Sequence, residues 1–255
     1  MTLGLPLSTL YAFLLVLSRV AGLVAFLPVP GFRNAPDMLR AILALALAFA
    51  LFPVWPALPN ELPSIGQLIA WTFAEAGFGL AAGLAVAFLT EAFQLAVQVL
   101  GLQTGYGYAT TIDPNSQADS SVLQVVAMLI SALFFLSLGL DRQLFRVLAA
   151  SFEKFPAGSW APAAASLAGL VRLGSGMFSL GLRVAMPVVA LLLLLDVALA
   201  VLGRMQQQLQ LLSLAFPLKM LAAMALLSAL APVFARIFAN SAERTLGALW
   251  QVAGR

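Results

Sequence analysis

The chain has 255 residues, of which 62% are hydrophobic and only 9% are charged, with 13 Lys and Arg against 10 Asp and Glu. This composition excludes an ordinary soluble domain and indicates a membrane-embedded protein. Cysteine and histidine are absent, which excludes a thiol nucleophile, a histidine-based triad and a thiolate or imidazole metal site. The basic residues are scattered and form no patch of the kind that binds nucleic acid.

Apolar runs separated by proline, glycine and polar residues predict an all-α protein with about six long, kinked helices arranged as hairpins. In chain order the segments cover about 9–28, 38–52, 65–102, 122–140, 167–202 and 209–238. A helix needs about 20 residues to cross the hydrocarbon layer. Three of the segments are much longer, so they must tilt, kink or project from the membrane. Pro187, Pro217 and Pro232 provide positions for kinks.

The charges of the connections give no consistent orientation under the positive-inside rule. Arg33 and Arg40 in the first connection, and Glu61 in the second, place the N-terminus outside. Alternation then places the basic residues of 142–154 outside as well. Either one segment does not span, or the protein does not lie across the bilayer in the usual way.

Small residues recur every four positions in the third segment. Gly79, Gly83 and Ala87 form a strip that is bracketed by Glu75 and Glu91. Small side chains at this spacing let two helices approach closely. We therefore expect the strip to pack against another helix, the alternative being that it lines a pore.

Six ionisable residues lie inside apolar runs: Arg19, Glu75, Glu91, Arg183, Asp196 and Lys219. Each costs about 2.5–3.5 kcal/mol at the centre of a bilayer unless it is paired or wetted. One interpretation is a set of buried interhelical ion pairs, with Arg19, Arg183, Asp196 and Lys219 as candidates; the other is a path for protons or a solute. Asp196 and Lys219 lie in consecutive segments, so an antiparallel hairpin would bring them opposite one another.

The polar stretch "GLQTGYGYATTIDPNSQADSS", residues 101–121, interrupts the apolar pattern. Its glycines weaken the preceding helix, and Ser121 with Gln124 matches a capping box that starts the next helix. The loop between them is long, and loops of this length are often functional or disordered. Tyr106, Tyr108 and Ile112 are too apolar for a merely solvated hinge, which favours a packed, re-entrant element.

Five stretches resemble the FliR/SctT family, whose flagellar members belong to the type III protein export gate. They are "RVAGLVAFLPVPGFRNAPDMLRAILALALA", "GLQTGYGYATTIDPNSQADSSVLQ", "LFFLSLGLDRQLFRVLAASFEKFPAG", "LRVAMPVVALLLLLDVALAVLGR" and "LAFPLKM". Their order and spacing, over nearly the whole chain, make the resemblance specific. The middle stretch is more similar to the flagellar branch than to the injectisome branch.

The resemblance implies a gate that is built with FliP and FliQ homologues in the bacterial inner membrane, within the flagellar basal body and partly raised above the membrane plane. It implies a FliP-like N-terminal region, 1–166, and a FliQ-like C-terminal helical hairpin, 167–255. Further implied partners are FlhB and FlhA homologues, exported flagellar proteins as transient substrates, and membrane lipid. The family's plug corresponds to 103–121, which places seven residues in it: Gly105, Tyr106, Gly107, Tyr108, Ile112, Asp113 and Pro114.

The residues also define an alternative function. A proton-coupled secondary transporter of small solutes would use Glu75, Glu91 and Asp196 as coupling groups. Such transporters often contain two inverted repeats with matching broken helices, whereas this sequence has one polar break. We expect no catalytic residues, no cofactor and no bound metal.

Overall fold

The computed structural model describes residues 6–28, 36–56, 63–105, 122–161, 164–205 and 211–252. Over these ranges the chain forms seven α-helices and one 3-10 turn. The helices are α1 (Leu7–Ala25), α2 (Asp37–Ala50), α3 (Ile65–Thr104), α4 (Val122–Ser137), α5 (Leu140–Lys154), α6 (Ala164–Met205) and α7 (Leu211–Val252), and the 3-10 turn is Phe52–Val54. The all-α fold class is confirmed.

Helix α5 is an addition to the six segments that hydropathy indicates. Gly139 adopts a φ of +63°, a left-handed conformation that glycine tolerates, and α4 and α5 meet there at a bend of 61°. Leu144, Leu148 and Phe152 are buried on one face of α5, while its other face is charged. An amphipathic helix of this kind lacks a continuous apolar run, so a search for such runs does not detect it.

The helices α6 and α7 each contain 42 residues, which corresponds to about 63 Å of helix. That is about twice the thickness of a hydrocarbon core. Pro187 lies inside α6, and Pro217 and Pro232 lie inside α7, so these prolines do not end the helices. Within the described ranges, four helices are long and apolar enough to cross a membrane, or five if the bent pair of α4 and α5 is one span.

Packing divides the chain into two compact units. Unit 1 comprises 1–89, 135–174 and 241–255, and unit 2 comprises 90–134 and 175–240. The helices α3, α6 and α7 each contribute to both units. The two units therefore do not correspond to the two regions, 1–166 and 167–255, that the family resemblance implies. The boundary between a FliP-like and a FliQ-like region at 166/167 stays a prediction.

In unit 1, α1 crosses α3 at a distance that only small residues permit. A Cβ atom on Gly22 would lie 2.5 Å from a backbone carbonyl oxygen of α3, and one on Gly83 would lie 2.7 Å from the carbonyl oxygen of Leu23. A Cβ atom on Gly79 would overlap the carbonyl oxygen of Arg19. These obstacles are backbone atoms, which a rotamer change cannot move away.

In unit 2, α3, α6 and α7 share an apolar core. Leu100, Val188, Leu192 and Ala223 are buried together, and half-buried leucines of α7 pack around them. Gly181 of α6 lies against the backbone of α3, because a Cβ atom there would be 2.7 Å from the carbonyl oxygen of Ala92. The α6 helix is therefore held tightly on the C-terminal half of α3.

Gly79→Ala should destabilise the protein by about 1–3 kcal/mol, the usual cost of overpacking a core. Gly66→Ala, on the same helix, is the matched control, because a Cβ atom there meets nothing within 4 Å. That substitution should stabilise the helix by up to about 1 kcal/mol. Thermal unfolding of the purified full-length variants measures both effects, and equal midpoints for the two variants would contradict close helix packing.

Candidate functional site

The centre of unit 1 is an ion pair between Arg19 of α1 and Glu75 of α3. Both side chains have 0% exposure, and the Nε of Arg19 donates a hydrogen bond to Oε2 of Glu75. The two residues are 56 positions apart in the sequence. The sequence indicated Glu75 as a border of the small-residue strip and as an ionisable residue inside an apolar run, but not as the partner of Arg19.

The other two nitrogens of the Arg19 guanidinium also donate hydrogen bonds. Its Nη1 donates to Oγ of Ser151 at 2.8 Å, and its Nη2 donates to the carbonyl oxygen of Phe155 at 3.0 Å. The guanidinium carbon lies 4.7 Å from the ring centre of Phe78 and 4.2 Å from that of Phe152. Aromatic faces attract a cation at these distances, so α5 and the residue after it complete the site.

The second oxygen of Glu75 is bonded as well. Its Oε1 accepts a hydrogen bond of 2.9 Å from the backbone N–H of Gly158. Gly158 has a φ of +81°, and a Cβ atom there would overlap the ring of Trp71. The turn that follows α5 therefore requires glycine for both its backbone conformation and its space.

Four members of this site were not predicted from the sequence: Ser151, Phe152, Gly158 and Phe78. The segment "FPAG" before Ser159 is a turn signal that marks Gly158. The three-to-four-residue spacing of Leu144, Leu148, Ser151 and Phe152 would have identified the inward face of α5.

Unit 2 contains a second polar cluster, in which Asp196 of α6 and Lys219 of α7 form an ion pair. Their side chains are 34% and 16% exposed, so the pair is less deeply buried than Arg19–Glu75. The Nε2 of Gln103 in α3 donates to Oδ2 of Asp196 at 3.3 Å. The two predicted partners thus lie opposite one another, joined by a glutamine that the sequence did not indicate.

Arg183 differs from the other three candidates for buried ion pairs. Its side chain is exposed, and it forms no ion pair within the part of the chain that the structure describes. The physical reason is its position on α6: the neighbouring Val184, Ala185 and Val188 face inward, whereas Arg183 lies on the outward face. The pairing of Arg183 therefore stays a prediction.

The small-residue strip lies at the crossing described above. Gly79 contacts the backbone of Arg19 itself, and Gly83 contacts that of Leu23. Ala87 is half-buried one turn further along α3. The glycines therefore bring the backbone of α1 to the distance at which Arg19 meets Glu75.

At the start of the polar loop, Gly105 follows the last residue of α3 with a φ of +84°. It lies two residues after Gln103, and so close to the Asp196–Lys219 pair. The other six residues predicted for the plug lie outside the described residues: Tyr106, Gly107, Tyr108, Ile112, Asp113 and Pro114.

The model of bacterial export proteins, family 1, matches residues 10–245 of the chain. The chain is 31% identical to the flagellar biosynthetic protein FliR of Escherichia coli K12 over 230 residues, which are 90% of this chain and 87% of that protein. It is 30% identical to the FliR of Bacillus subtilis 168, over 82% of this chain and 81% of that protein. It is 28% identical to the FliR of Aquifex aeolicus VF5, also over 82% and 81%.

Arg19→Met should destabilise the protein by about 3–5 kcal/mol, because it leaves the Glu75 carboxylate buried without a counterion. The double variant Arg19→Met with Glu75→Leu should be more stable than this single variant, because no uncompensated charge remains. Thermal unfolding of the purified protein gives the comparison.

Arg142→Met on the exposed face of α5 is the matched control, with an expected change of at most about 0.5 kcal/mol. A double variant that is less stable than Arg19→Met alone would contradict this expectation, because it would show that the Glu75 carboxylate stabilises the protein even without Arg19, through its hydrogen bond from Gly158.

Proposed function

The chain belongs to family 1 of the bacterial export proteins, and from this premise we propose that it is a structural and gating subunit of the flagellar type III protein export gate. With FliP and FliQ homologues it forms the channel through which unfolded flagellar proteins pass. FlhB and FlhA homologues bind next to this channel. The subunit catalyses no reaction itself.

The observation that carries the proposal is the extent of the match between this chain and its FliR relatives. The match spans 90% of this chain and 87% of the Escherichia coli protein, so it is not confined to one shared segment. The relatives come from bacteria as different as Bacillus subtilis and Aquifex aeolicus, and all carry the name flagellar biosynthetic protein FliR. A match along the whole chain supports a shared place in the same apparatus.

A position in the inner membrane that is partly raised above the membrane plane is supported by α5. This helix exposes Arg142, Arg146, Glu153 and Lys154, and each charge would cost about 2.5–3.5 kcal/mol at the bilayer centre. Its opposite face is buried in unit 1. A helix with this distribution of charge is stable in water and unstable in hydrocarbon.

A plug role for residues 103–121 is supported by the anchoring of their first residues. Gln103 contacts Asp196, and Asp196 pairs with Lys219, so the start of this segment is tied to both helices of the C-terminal hairpin. We propose that the segment closes the channel and that Gly105 lets the chain leave α3 there.

The transporter alternative gains no support from the candidate coupling groups. Glu75 has 0% exposure and two bonded oxygens, and Asp196 is held by Lys219 and Gln103. Glu91 also interacts with a neighbouring group. A coupling carboxylate must exchange protons with water during transport, and Glu75 has no contact with water.

Deleting the gene should abolish swarming motility and filament secretion, because an export gate that lacks a structural subunit transports no filament protein. Expression of the intact chain should restore both, and Gly66→Ala should restore them equally well. Swarm diameter and the amount of secreted filament protein are the measurements. A motile deletion strain would end the export proposal.

Deleting residues 105–119 should make the cells leak small molecules when the whole gate is overproduced, because the channel then lacks its seal. Dye uptake by these cells, compared with cells that produce the intact gate at the same level, measures the leak. Normal impermeability in a correctly assembled deletion variant would contradict the plug role and leave membership of the gate intact.

A further inference from the structure

The apolar core of unit 2 and its polar cluster are two layers of one packing seam between α3, α6 and α7. One helical turn beyond the apolar layer lie Gln103, Asp196 and Lys219, one on each helix. Residues three or four positions apart lie on the same face of a helix, so the polar layer continues the apolar one at the point where α3 ends. The apolar layer consists of four buried residues: Leu100, Val188, Leu192 and Ala223.

The carboxylate of Asp196 joins all three helices. Its Oδ1 pairs with the Nζ of Lys219 in α7, and its Oδ2 accepts a hydrogen bond of 3.3 Å from the Nε2 of Gln103 in α3. The two contacts use different oxygens. The link to α3 can therefore be removed by substitution while the ion pair within the hairpin is kept.

The apolar part of the seam does not distinguish between two positions of α3. Ala92, whose carbonyl oxygen is closely approached by Gly181 of α6, and Ala96 are one turn apart and both have 0% exposure. A slide of α3 by one turn, about 5.4 Å, would bring one alanine to the place of the other. Along α6, Val188 and Leu192 likewise offer apolar contacts at two successive turns.

Connectivity fixes the register within the hairpin but not the register of α3. Helix α6 ends at Met205 and α7 begins at Leu211, so the short connection between them limits how far they can slide past each other. Helices α4 and α5 lie between α3 and this hairpin in the sequence. The position of α3 along the hairpin therefore depends on non-covalent contacts.

We propose that Gln103 is a positioning residue, which fixes the register of α3 against the α6–α7 hairpin through its hydrogen bond to Asp196. A one-turn slide would move the amide by about 5.4 Å along the helix axis, which takes it out of hydrogen-bond distance of the carboxylate. A polar residue in an apolar seam specifies register in coiled coils in the same way, at a cost in stability. Since Gly105 directly follows α3, this register also sets the height at which the chain leaves the helix.

The register can be measured because the chain contains no cysteine. Spin labels at Leu102→Cys and Leu182→Cys report on α3 against α6, and labels at Leu182→Cys and Leu221→Cys report on α6 against α7, all at positions exposed in this chain. In the purified full-length protein, Gln103→Leu should add a second α3–α6 distance, displaced by up to about 5 Å, in double electron–electron resonance. The α6–α7 distance should stay single. A single α3–α6 distance in this variant would overturn the proposal.

Exchanging the two polar groups is the matched control. Gln103→Glu alone places two carboxylates side by side and should give two α3–α6 distances, as Gln103→Leu does. Gln103→Glu combined with Asp196→Asn again leaves one carboxylate, one amide and one ammonium group in the layer, so the single distance should return. Two distances in the combined variant would show that side-chain shape, rather than the hydrogen bond, sets the register, and would contradict the assignment.

A fully apolar layer separates positioning from stability. The triple variant Gln103→Leu, Asp196→Leu and Lys219→Met should unfold at a temperature no lower than the intact protein, because apolar replacement of an ion pair is often neutral or stabilising. It should nevertheless show two α3–α6 distances. A lower unfolding temperature with one distance would show that the layer serves stability, and would overturn the proposal.

The consequence for the channel rests on the function proposed above. Cells that overproduce the whole gate with the triple variant should take up dye, because the end of α3 then lies at two heights. Impermeable cells, in spite of two measured α3–α6 distances, would show that the register has no role in closing the channel. Failure of the export proposal itself is recognised separately, by a motile deletion strain.

Discussion

The packing of unit 1 depends on the demand of a buried guanidinium group for a complete set of partners. Arg19 has no contact with water, and leaving such a charge without a partner is strongly destabilising. Its partners come from α3, from α5 and from the residue that follows α5. Each of these elements must therefore be in place before the site is satisfied, and the glycines of α1 and α3 are what let the backbones approach closely enough.

The two interhelical ion pairs Arg19–Glu75 and Asp196–Lys219 follow different energetics. Arg19–Glu75 is fully desolvated, bonded on nearly every polar atom and covered by aromatic rings, so separating it exposes two charges to an apolar interior. Asp196–Lys219 is partly exposed, and water can replace part of each interaction when the pair separates. Contacts in unit 2 next to the start of the polar loop therefore cost less free energy to rearrange than those at the centre of unit 1, as the gating role proposed for that loop requires.

The sequence predicted those features of the fold that local residue order determines. The apolar runs identified six of the seven described helices, the end of the third segment was expected at about 102, two residues before the end of α3, and the hairpin order of α6 and α7 placed Asp196 opposite Lys219. It did not find the partner of Arg19, because Glu75 is 56 residues away and composition contains no information on which distant helices cross. The helix α5 was missed because its apolar residues form one face instead of a continuous run.

Helix α5 also explains why the positive-inside rule gives no consistent orientation. The rule assumes that charged segments are connections between membrane spans. Residues 142–154 instead belong to an amphipathic helix, whose charges face outward because Leu144, Leu148 and Phe152 face the Arg19 site. Charges of either sign make such an outer face soluble, so α5 is not a connection of the kind to which the rule applies.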